Sequence, residues 1–370
     1  MKIRKLYIER SAADYPVTRH ICSRLEMPAQ IIDNSESVYQ EIARSPDPEK
    51  AGKSILLLAR NRGAFIRDCP GTSYYTCCGY QILHIGTYCS MDCAYCILQA
   101  YFHPPVLQFF VNHAEMEASL QQHFAKGEIA RIGTGEFTDS LIWESVYPLA
   151  PRLVELFSRQ KACVLELKTK TTAVEPLLGL AHHKKTIMAW SLNTEAVIAN
   201  QERGTAALGA RLAAAEKCRK QGFPLAFHFD PMILYNGCYA EYENVIEQLF
   251  SRIDPAGIVW ISLGSFRFMP ELKPIVARRF AGSKIIYNEF IRAIDGKMRY
   301  FKPLRIQLYS RVIEAIKSRA PEVLVYFCME DDEVWQKCLG HAPAEKGGLP
   351  MMLDQRAAWK CELSGRFPAG

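Results

Sequence analysis

The sequence predicts an α/β protein built on a partial (β/α)6 TIM barrel. Apolar runs rich in β-forming residues alternate with helical segments, which is the order of a parallel sheet. Each run is apolar on both faces, as strands covered by helices require. Six strands are expected, at residues 80–86, 129–133, 163–169, 186–192, 224–230 and 257–264. Without a clear seventh or eighth unit the barrel should be open, with its site at the carboxyl ends of the strands; a doubly wound sheet is the alternative.

The segments outside these six units divide the rest of the chain. Residues 1–79 are predicted to form an N-terminal extension that packs on the barrel, and the barrel itself spans residues 80–285. Residues 286–340 should hold a hairpin and closing elements. Residues 341–370 have the composition of a weakly structured tail.

The composition is that of an ordinary globular protein. The chain has 370 residues, 49% of them apolar and 23% charged, with a formal net charge of +6. No apolar run reaches the roughly 20 residues that cross a bilayer, and the first residues lack the apolar stretch of a signal peptide. We therefore expect a cytoplasmic protein without a membrane partner, and a monomer because no helical seam is evident. The mild positive charge permits a polyanionic partner.

Three of the thirteen cysteines form a tight motif directly after the first strand. Cys89, Cys93 and Cys96 have the spacing C-x3-C-x2-C, and three thiolates can hold three irons of a [4Fe-4S] cluster. The fourth iron then has no protein ligand and is open to the amino and carboxylate groups of S-adenosylmethionine. One electron from the cluster would release a 5′-deoxyadenosyl radical. The motif therefore predicts a radical S-adenosylmethionine enzyme.

Other metal chemistry is also compatible with the cysteines. A zinc site would need a fourth ligand at suitable geometry, such as His84 or another cysteine. Cys69, Cys77 and Cys78 lie just upstream of the motif. The adjacent pair suits either a second metal site or buried, unreactive thiols.

Polar residues at the ends of the next strands suit the same cofactor. Glu136 follows the second strand in Gly-Thr-Gly-Glu, where its carboxylate would accept the ammonium group of the cofactor. Lys170 ends the third strand, and Ser191 and Asn193 end the fourth, where they would bind a carboxylate and a ribose. The alternative is that these three residues only end strands in solvent or cap helices.

A basic and aromatic stretch at residues 296–305 contains Arg299, Tyr300 and Lys302. Cations interleaved with aromatic rings suit phosphates and bases, so the stretch is a candidate nucleic-acid contact. A solvated surface turn would have the same composition.

With these motifs in place, the chain resembles the spore photoproduct lyase family between about residue 6 and residue 330. That family reverts a methylene-bridged thymine dimer in DNA by radical chemistry. Beyond the cysteine motif, the resemblance rests on LYIERSAADYP near the start, TK at 169–170, SLNTEAVIANQERGTAALGARLAAA at 191–215, FRF at 266–268 and RY at 299–300.

The resemblance implies roles for individual residues. The motif cysteines would bind the cluster, and four polar residues would help to hold S-adenosylmethionine: Asp139, Lys170, Ser191 and Asn193. Tyr95 would belong to a hydrogen-transfer chain. Arg299 and Tyr300 would lie on a hairpin that prises the lesion out of the duplex. The implied partners are DNA carrying a pyrimidine dimer and a low-potential electron donor such as flavodoxin or ferredoxin.

The sequence departs from the family at two positions. Ile97 stands where the family has a second tyrosine. The hydrogen-donating cysteine of the family lies in an A-C-T-S-D run, and the aligned stretch here is Gly135 to Asp139, with Glu136 at the cysteine position. Glu136 has no hydrogen atom that it can readily give to a carbon radical; many other radical enzymes use Gly-Glu here to hold the ammonium group of the cofactor.

Three interpretations of function follow. The first is a spore photoproduct lyase-like enzyme in which the substrate radical is quenched either by Tyr95 or by a cysteine thiol outside the motif, such as Cys238 or the Cys77/Cys78 pair. The second is a radical S-adenosylmethionine enzyme that acts on a modified nucleotide or a small metabolite. The third is a zinc-bearing nucleic-acid-binding module without catalysis.

Overall fold

The computed structural model describes residues 2–71 and 74–368. Its strands, in chain order, are β1 Lys5–Glu9, β2 Ala29–Ile32, β3 Ile55–Ala59, β4 Ile66–Asp68, β5 Gln81–Leu83, β6 Gly86–Thr87, β7 Asp92–Cys93, β8 Leu107–Phe110, β9 Ala130–Gly133, β10 Cys163–Thr169, β11 Thr186–Ser191, β12 Glu202–Arg203, β13 Leu225–Met232, β14 Ile258–Ser265, β15 Arg267–Phe268, β16 Phe290–Arg292, β17 Met298–Tyr300 and β18 Leu324–Phe327.

The α-helices alternate with these strands along most of the chain. They are α1 Pro16–Leu25, α2 Glu36–Ala43, α3 Pro48–Gly52, α4 Leu98–Tyr101, α5 His113–Ala125, α6 Leu149–Ser158, α7 Glu195–Gln201, α8 Leu208–Lys220, α9 Cys238–Arg252, α10 Leu272–Arg279, α11 Lys302–Arg319, α12 Asp332–Leu339 and α13 Leu349–Lys360. Within residues 2–71 and 74–368, every helix is too short or too polar to cross a lipid bilayer.

The main sheet is the predicted open barrel. Its order is β4-β5-β9-β10-β11-β13-β14-β18, and all neighbours are parallel except the antiparallel edge pair β4 and β5. The six predicted strands correspond to β5, β9, β10, β11, β13 and β14, so the fold-class prediction is confirmed. The structure adds β18 as a further parallel strand, which the sequence reasoning did not identify. Apolar side chains on β9 to β14 are almost completely buried, as strands between helices require.

A second, five-stranded sheet shows that the predicted boundary at residue 79 does not separate two sheets. Its order is β2-β1-β3-β8-β6, so it combines three strands from the N-terminal extension with two from the predicted barrel segment. Strand β6 is antiparallel to β8 and leads directly into the cysteine motif. The extension therefore helps to hold the motif in place.

The C-terminal segments also differ in part from the predictions. The hairpin of β16 and β17 is present, and β15 joins it as a third antiparallel strand. Residues 341–368 are not weakly structured, because they contain a short 3-10 turn and α13. Asp354 on α13 pairs with the buried Arg131 on β9, at 2.6 Å from Oδ1 to Nε. Residues 369 and 370 of the predicted tail lie outside the described residues.

Candidate active site

A cavity of about 460 Å³ opens at the carboxyl ends of the main-sheet strands. This is the position at which barrel enzymes carry their sites. Cys89, Cys93 and Cys96 line it on one side. The rest is lined by the segment before β5, by α4, and by the carboxyl ends of the main-sheet strands from β9 to β18 with the loops that follow them. Its size is suited to a small molecule together with part of a second one.

The loop that carries the cysteine motif is fixed by bonds from three other segments. Strand β7, which contains Cys93, pairs with β12. Gln99 Nε2 donates to the backbone oxygen of Cys93 at 3.0 Å, and Lys53 Nζ donates to the backbone oxygen of Cys89 at 3.0 Å. Arg279 holds the Asp92 carboxylate next to Cys93, with Nη2 at 3.0 Å from Oδ1. The loop is therefore preorganised by its own protein contacts.

The residue before the first cysteine adopts an unusual backbone conformation. Tyr88 has a φ of 68°, in a region that side chains other than glycine rarely occupy. Its ring is completely buried, its hydroxyl donates to the Glu49 backbone oxygen at 2.9 Å, and Lys53 Nζ lies 4.2 Å from the ring centroid. Strain of this kind persists where surrounding contacts enforce it, and it is concentrated at functional sites. Here it turns the chain at the start of the motif.

The three thiols suit a cluster better than a single metal ion. Burial raises the pKa of Cys89 to about 12. Burial is also the largest cause of the raised pKa of Cys93, and the neighbouring Cys96 and Cys89 raise that pKa further. The sulfurs are thus close enough to repel one another when charged. Among the described residues, no three Cys, His, Asp or Glu side chains converge on one ion. A cubane does not require such convergence, because each thiolate binds a different iron.

The histidine named as one possible fourth ligand of a zinc site does not face the cavity. His84 is buried between the rings of Phe110 and Phe137, each with its centroid 4.9 Å away. It does not line the cavity, and burial lowers its pKa to about 4. A neutral histidine held between aromatic rings is a packing residue.

Asp139 and Lys170 line the cavity on the same side as the cysteine loop. Asp139 Oδ1 accepts from the Leu141 amide at 3.0 Å and from Thr169 Oγ1 at 2.8 Å, and Oδ2 accepts from the Lys170 amide at 2.8 Å. Asp139 therefore joins the loop after β9 to the end of β10. Burial raises the pKa of its carboxyl group.

Tyr95 lies between Lys170 and a buried ion pair. Lys170 Nζ is 5.8 Å from the centroid of the Tyr95 ring. The Tyr95 hydroxyl donates to Glu202 on β12, and Glu202 also binds the guanidinium of Arg211. Neither side chain of the Glu202–Arg211 pair is exposed. This network fixes the Tyr95 ring against the cavity.

Ser191 and Asn193, predicted together, have different surroundings. Ser191 lines the cavity at the end of β11. Asn193 lies outside the lining: its Nδ2 donates to the Pro231 backbone oxygen at 2.8 Å, and its Oδ1 accepts from the Tyr242 hydroxyl at 2.9 Å. In this arrangement Asn193 joins the segment after β11 to the last residues of β13, and its amide is already bonded.

Glu136 lines the cavity but already has a partner. Its carboxylate pairs with Lys168 Nζ, and both side chains are less than one-third exposed. The preceding Gly135 has no room for a side chain, because a Cβ there would lie 2.9 Å from Lys168 Cβ. Gly133, at the end of β9, is more restricted still, since a Cβ would lie 1.5 Å from the Tyr80 hydroxyl oxygen. The two glycines therefore permit close packing of this loop.

The cavity floor contains a hydrogen-bonded series of residues that sequence reasoning did not identify. His228 Nε2 lies 2.6 Å from Glu166 Oε1, and His228 Nδ1 lies 2.7 Å from Ser262 Oγ. All three are buried. Each interrupts an otherwise apolar strand, and polar residues at core positions of a strand are the signal that would have found them.

A second unpredicted pair lies on the wall formed by β13 and β14. Arg267 binds Asp230 through both terminal nitrogens, at 3.2 and 3.1 Å. Arg267 Nη2 also donates to Cys328 Sγ at 3.4 Å, directly after β18. Cys69 and Cys78 line the cavity too, whereas Cys77 and Cys238 do not.

The residues predicted to contact nucleic acid are not at the free surface. Arg299 is 1% and Tyr300 0% exposed. Arg299 Nη2 pairs with Asp295 at 2.6 Å, and the Tyr300 hydroxyl accepts from the Leu234 amide at 3.1 Å. Both side chains thus stabilise the β16–β17 hairpin from inside, and contact with DNA would require that hairpin to open.

Lys302 and the tip of the hairpin are more accessible. Lys302 is one-third exposed and pairs with Asp331 and Glu333 at 2.9 and 2.8 Å. Between the two strands Ile294 is 70% exposed, and Ile291 on β16 is 45% exposed. The accessible surface of the hairpin therefore combines these apolar side chains with the exposed Arg292.

Comparisons with known proteins were consistent in both sequence and fold. A family model described as spore photoproduct lyase matches residues 2–303. Spore photoproduct lyase of Bacillus subtilis (strain 168) is 25% identical over 295 residues, covering 77% of this chain and 84% of the relative. Spore photoproduct lyase of Clostridium acetobutylicum is 24% identical over 307 residues, covering 81% and 87%.

Solved structures of spore photoproduct lyase have the same fold. A variant with bound AdoMet and dinucleoside spore photoproduct matches with a TM-score of 0.77 at 21% identity, covering 88% of this chain and all of that chain. A complex with dinucleoside spore photoproduct matches with a TM-score of 0.74 at 20% identity, covering 88% of this chain and 98% of that chain.

Proposed function

Because this chain belongs to the spore photoproduct lyase family, we propose that it is a radical S-adenosylmethionine lyase that repairs a thymine-dimer-type lesion in DNA by hydrogen abstraction. The observation that carries the proposal is the preorganised loop of Cys89, Cys93 and Cys96 at the rim of a strand-end cavity. Relatives that cover most of this chain are named spore photoproduct lyase, which supports the reaction class.

The residues present fit a [4Fe-4S] cluster and S-adenosylmethionine. The three motif thiolates would bind the cluster, and the two groups together supply a 5′-deoxyadenosyl radical when bound. Lys170 and Ser191 line the adjacent wall and would bind the carboxylate and ribose of the cofactor. Asp139 would act by holding the backbone of Lys170, and Asn193 by fixing the end of β13 at Pro231.

Two residues of the proposed site have competing partners. Glu136 would bind the ammonium group of the cofactor only by sharing or releasing Lys168. Tyr95 would carry hydrogen from a hydroxyl that now donates to Glu202. Both are accessible from the cavity, so neither needs a change of fold to take part.

The proposed partners are DNA carrying a pyrimidine dimer and a low-potential electron donor such as flavodoxin or ferredoxin. The β16–β17 hairpin is the proposed DNA contact, with Lys302 at its base and Arg299 and Tyr300 reaching the lesion when it opens. We propose a monomer in the cytoplasm. All thirteen cysteines are free thiols, which fits a reducing compartment.

A second candidate function has one observation in its favour. Two partly buried ion pairs and one buried carboxylate–histidine hydrogen bond line the cavity away from the cluster loop: Glu136–Lys168, Asp230–Arg267 and Glu166–His228. Fixed charges of this kind suit a charged metabolite or a modified nucleotide, because they replace the water that such a substrate loses. The candidate is a radical S-adenosylmethionine enzyme with a small polar substrate.

Anaerobic turnover with dinucleoside spore photoproduct tests the proposal. The chain is reconstituted with iron and sulfide, reduced in the presence of S-adenosylmethionine, and assayed for 5′-deoxyadenosine and for loss of the dimer. Formation of the nucleoside with conversion of the dimer supports the lyase. Nucleoside formation with the dimer intact favours the second candidate, and a colourless protein with one zinc ion per chain contradicts both.

A further inference from the structure

The cavity contains three cysteines that do not belong to the cluster motif. Cys69 and Cys78 lie on the segment before β5, and Cys328 follows β18. The pKa of Cys78 is raised mainly by its hydrogen bond to Cys77 and by burial. The thiols of Cys328 and Cys69 raise it further, so the three cysteines lie near one another. We call Cys69, Cys78 and Cys328 the distal thiols.

The distal thiols lie around the position at which the family has its hydrogen donor. Glu136 occupies that position in this chain. Burial is the main cause of the raised pKa of Cys69, and Glu136 is the next; Glu136 also contributes to the raised pKa of Cys328. A carboxylate exerts such an effect only over short distances. The structure therefore brings thiols from other segments close to Glu136, the position where the family has its donor cysteine.

Cys328 is the distal thiol whose sulfur is best fixed. Its backbone amide donates to the Leu263 oxygen at 3.1 Å, so the residue continues the sheet pairing of β18 with β14. Arg267 Nη2 donates to Sγ at 3.4 Å, which makes the sulfur an acceptor and leaves its own hydrogen free. Within the described part of the chain, the Cys328 S–H has no hydrogen-bond acceptor of its own.

The Cys328 thiol stays protonated at neutral pH. Burial raises its pKa to about 11, although Arg267 opposes the shift, and Asp230 and Glu136 add to it. A thiolate would have no hydrogen atom to give. The protonated form is therefore the form that a carbon radical would meet.

The other candidate donors are less suitable. The hydrogen of Cys78 is engaged with Cys77, whose pKa is lowered to about 6 by that same hydrogen bond. Cys238 is completely buried at the start of α9 and does not line the cavity. The Tyr95 hydroxyl donates to Glu202. Cys69 has no contact that orients its sulfur among the described residues.

We propose that Cys328 donates the hydrogen atom that quenches the product radical in this chain, an inference that rests on the function proposed above. In this step the S–H bond of Cys328 breaks, a C–H bond forms on the product, and a thiyl radical remains on Sγ. One electron from the low-potential donor and one proton from water then restore the thiol. Cys328 thus replaces, from the opposite end of the sheet, the cysteine that Glu136 displaced.

Turnover in D2O distinguishes this donor from the alternatives. Thiol hydrogens exchange with solvent, so the wild-type chain acting on dinucleoside spore photoproduct should place one deuterium in each repaired dimer, on the one base that carried the product radical. Cys328→Ala and Cys328→Ser should still cleave S-adenosylmethionine. Both should lose the deuterium, and the ratio of 5′-deoxyadenosine to repaired product should rise at least tenfold. The serine variant preserves the shape of the side chain and guards against misfolding of the alanine variant.

Matched variants and an iron assay complete the test. Cys338→Ala, a half-buried thiol on α12 outside the cavity, should behave as wild type. Unchanged deuterium content in both Cys328 variants, or loss of deuterium in Cys69→Ala instead, overturns the inference. A fall in iron content in the Cys328 variants also overturns it, because the residue would then be a ligand of a second cluster. If the wild-type chain cleaves the cofactor but leaves the dimer intact, the proposed function itself fails.

Discussion

The two sides of the cavity differ in how they are built. The cofactor side consists of one short loop, with Cys89 to Cys96 held by backbone contacts from β12, Gln99 and Lys53. The distal side is assembled from the ends of β13, β14 and β18 and carries ion pairs and thiols. The difference indicates that the residues proposed to bind the cluster are grouped in sequence, whereas those proposed to face the substrate come from distant segments.

This contrast has a physical basis. A cluster needs several ligands at fixed spacing, which a single loop can supply. A substrate needs a shaped pocket, and polar groups that specify it can come from any strand that ends there. We therefore expect the cofactor side to tolerate few amino-acid substitutions and the distal side to tolerate more. Glu136, at the position where the family resemblance places a donor cysteine, is an example of such a substitution.

The largest expected effect is on the cofactor side. Cys93→Ala should remove one cluster ligand, so reconstituted iron should fall below about four per chain and 5′-deoxyadenosine should fall to background. Iron analysis and chromatography of the reaction measure both. Cys22→Ala, on α1 away from the cavity, is the matched control. A Cys93 variant with normal cofactor cleavage would show that the contrast between the two sides is wrong.

The next effect concerns the support of Tyr95. Glu202→Gln removes the only charge that compensates the fully buried Arg211 among its described contacts, and an uncompensated buried charge costs about 3–5 kcal/mol. The free energy of unfolding, measured with denaturant, should fall by that amount. Glu216→Gln on α8, which breaks only an exposed pair with Lys220, should leave the unfolding midpoint unchanged. Equal midpoints for the two variants would show that the cofactor side is not rigidly supported.

A smaller effect depends on pH. Burial raises the pKa of Glu144, in the 3-10 turn Ile142–Ser145 after the Asp139 loop, from 4.5 to about 7. The folded state thus holds this proton more tightly than the unfolded state, so the contribution of Glu144 to the free energy of unfolding is fully present below pH 4.5 and is lost as pH rises towards 7. At about 1.4 kcal/mol per pKa unit, the loss is about 1–3 kcal/mol.

Glu144→Gln tests the source of that pH dependence. The variant cannot ionise at this position, so its unfolding free energy should change less between pH 5 and 8 than that of the wild-type chain. Denaturant unfolding at several pH values provides the comparison. Parallel curves for the two proteins would mean that the carboxyl group ionises normally in the folded state.

The smallest effect is expected on the hairpin of the distal side. Ile294 is the most exposed apolar side chain of the hairpin, and apolar side chains can wedge between bases. Ile294→Ser should weaken retention on irradiated DNA a few-fold at an unchanged melting temperature. Ile31→Ser, equally apolar and exposed on β2, is the control. Equal retention of both variants would separate the hairpin from DNA binding.

The sequence predicted the repeating part of the fold well and its closure poorly. The six strands have long apolar patterns, and each was found. Strand β18 is a four-residue run that follows the longest helix, so only its pairing with β14 identifies it as part of the barrel. The five-stranded sheet was missed for a similar reason, since its strands come from both sides of residue 79.

The same distinction applies to the site. The cysteine motif could be proposed because its members are close in sequence, and Lys170 could be proposed because it follows the end of a predicted strand. Cys328 and Arg267 are 61 residues apart, and their contact follows only from the pairing of β14 with β18. The burial of Arg299 was not foreseeable either, because its partner Met329 lies on a different segment and Tyr75 covers its guanidinium group.

The shared small sheet has a consequence for how the site could be assembled during synthesis. Lys53, which bonds the Cys89 loop, and β1 to β3, of which β3 pairs with β8, all leave the ribosome before the cysteines do. Glu202 on β12 and Arg279 at the end of α10 leave it much later. A nascent chain that ends before Arg279 would lack one of the contacts that hold the loop of the three thiols. We therefore expect iron and sulfide to bind after synthesis of the chain is complete.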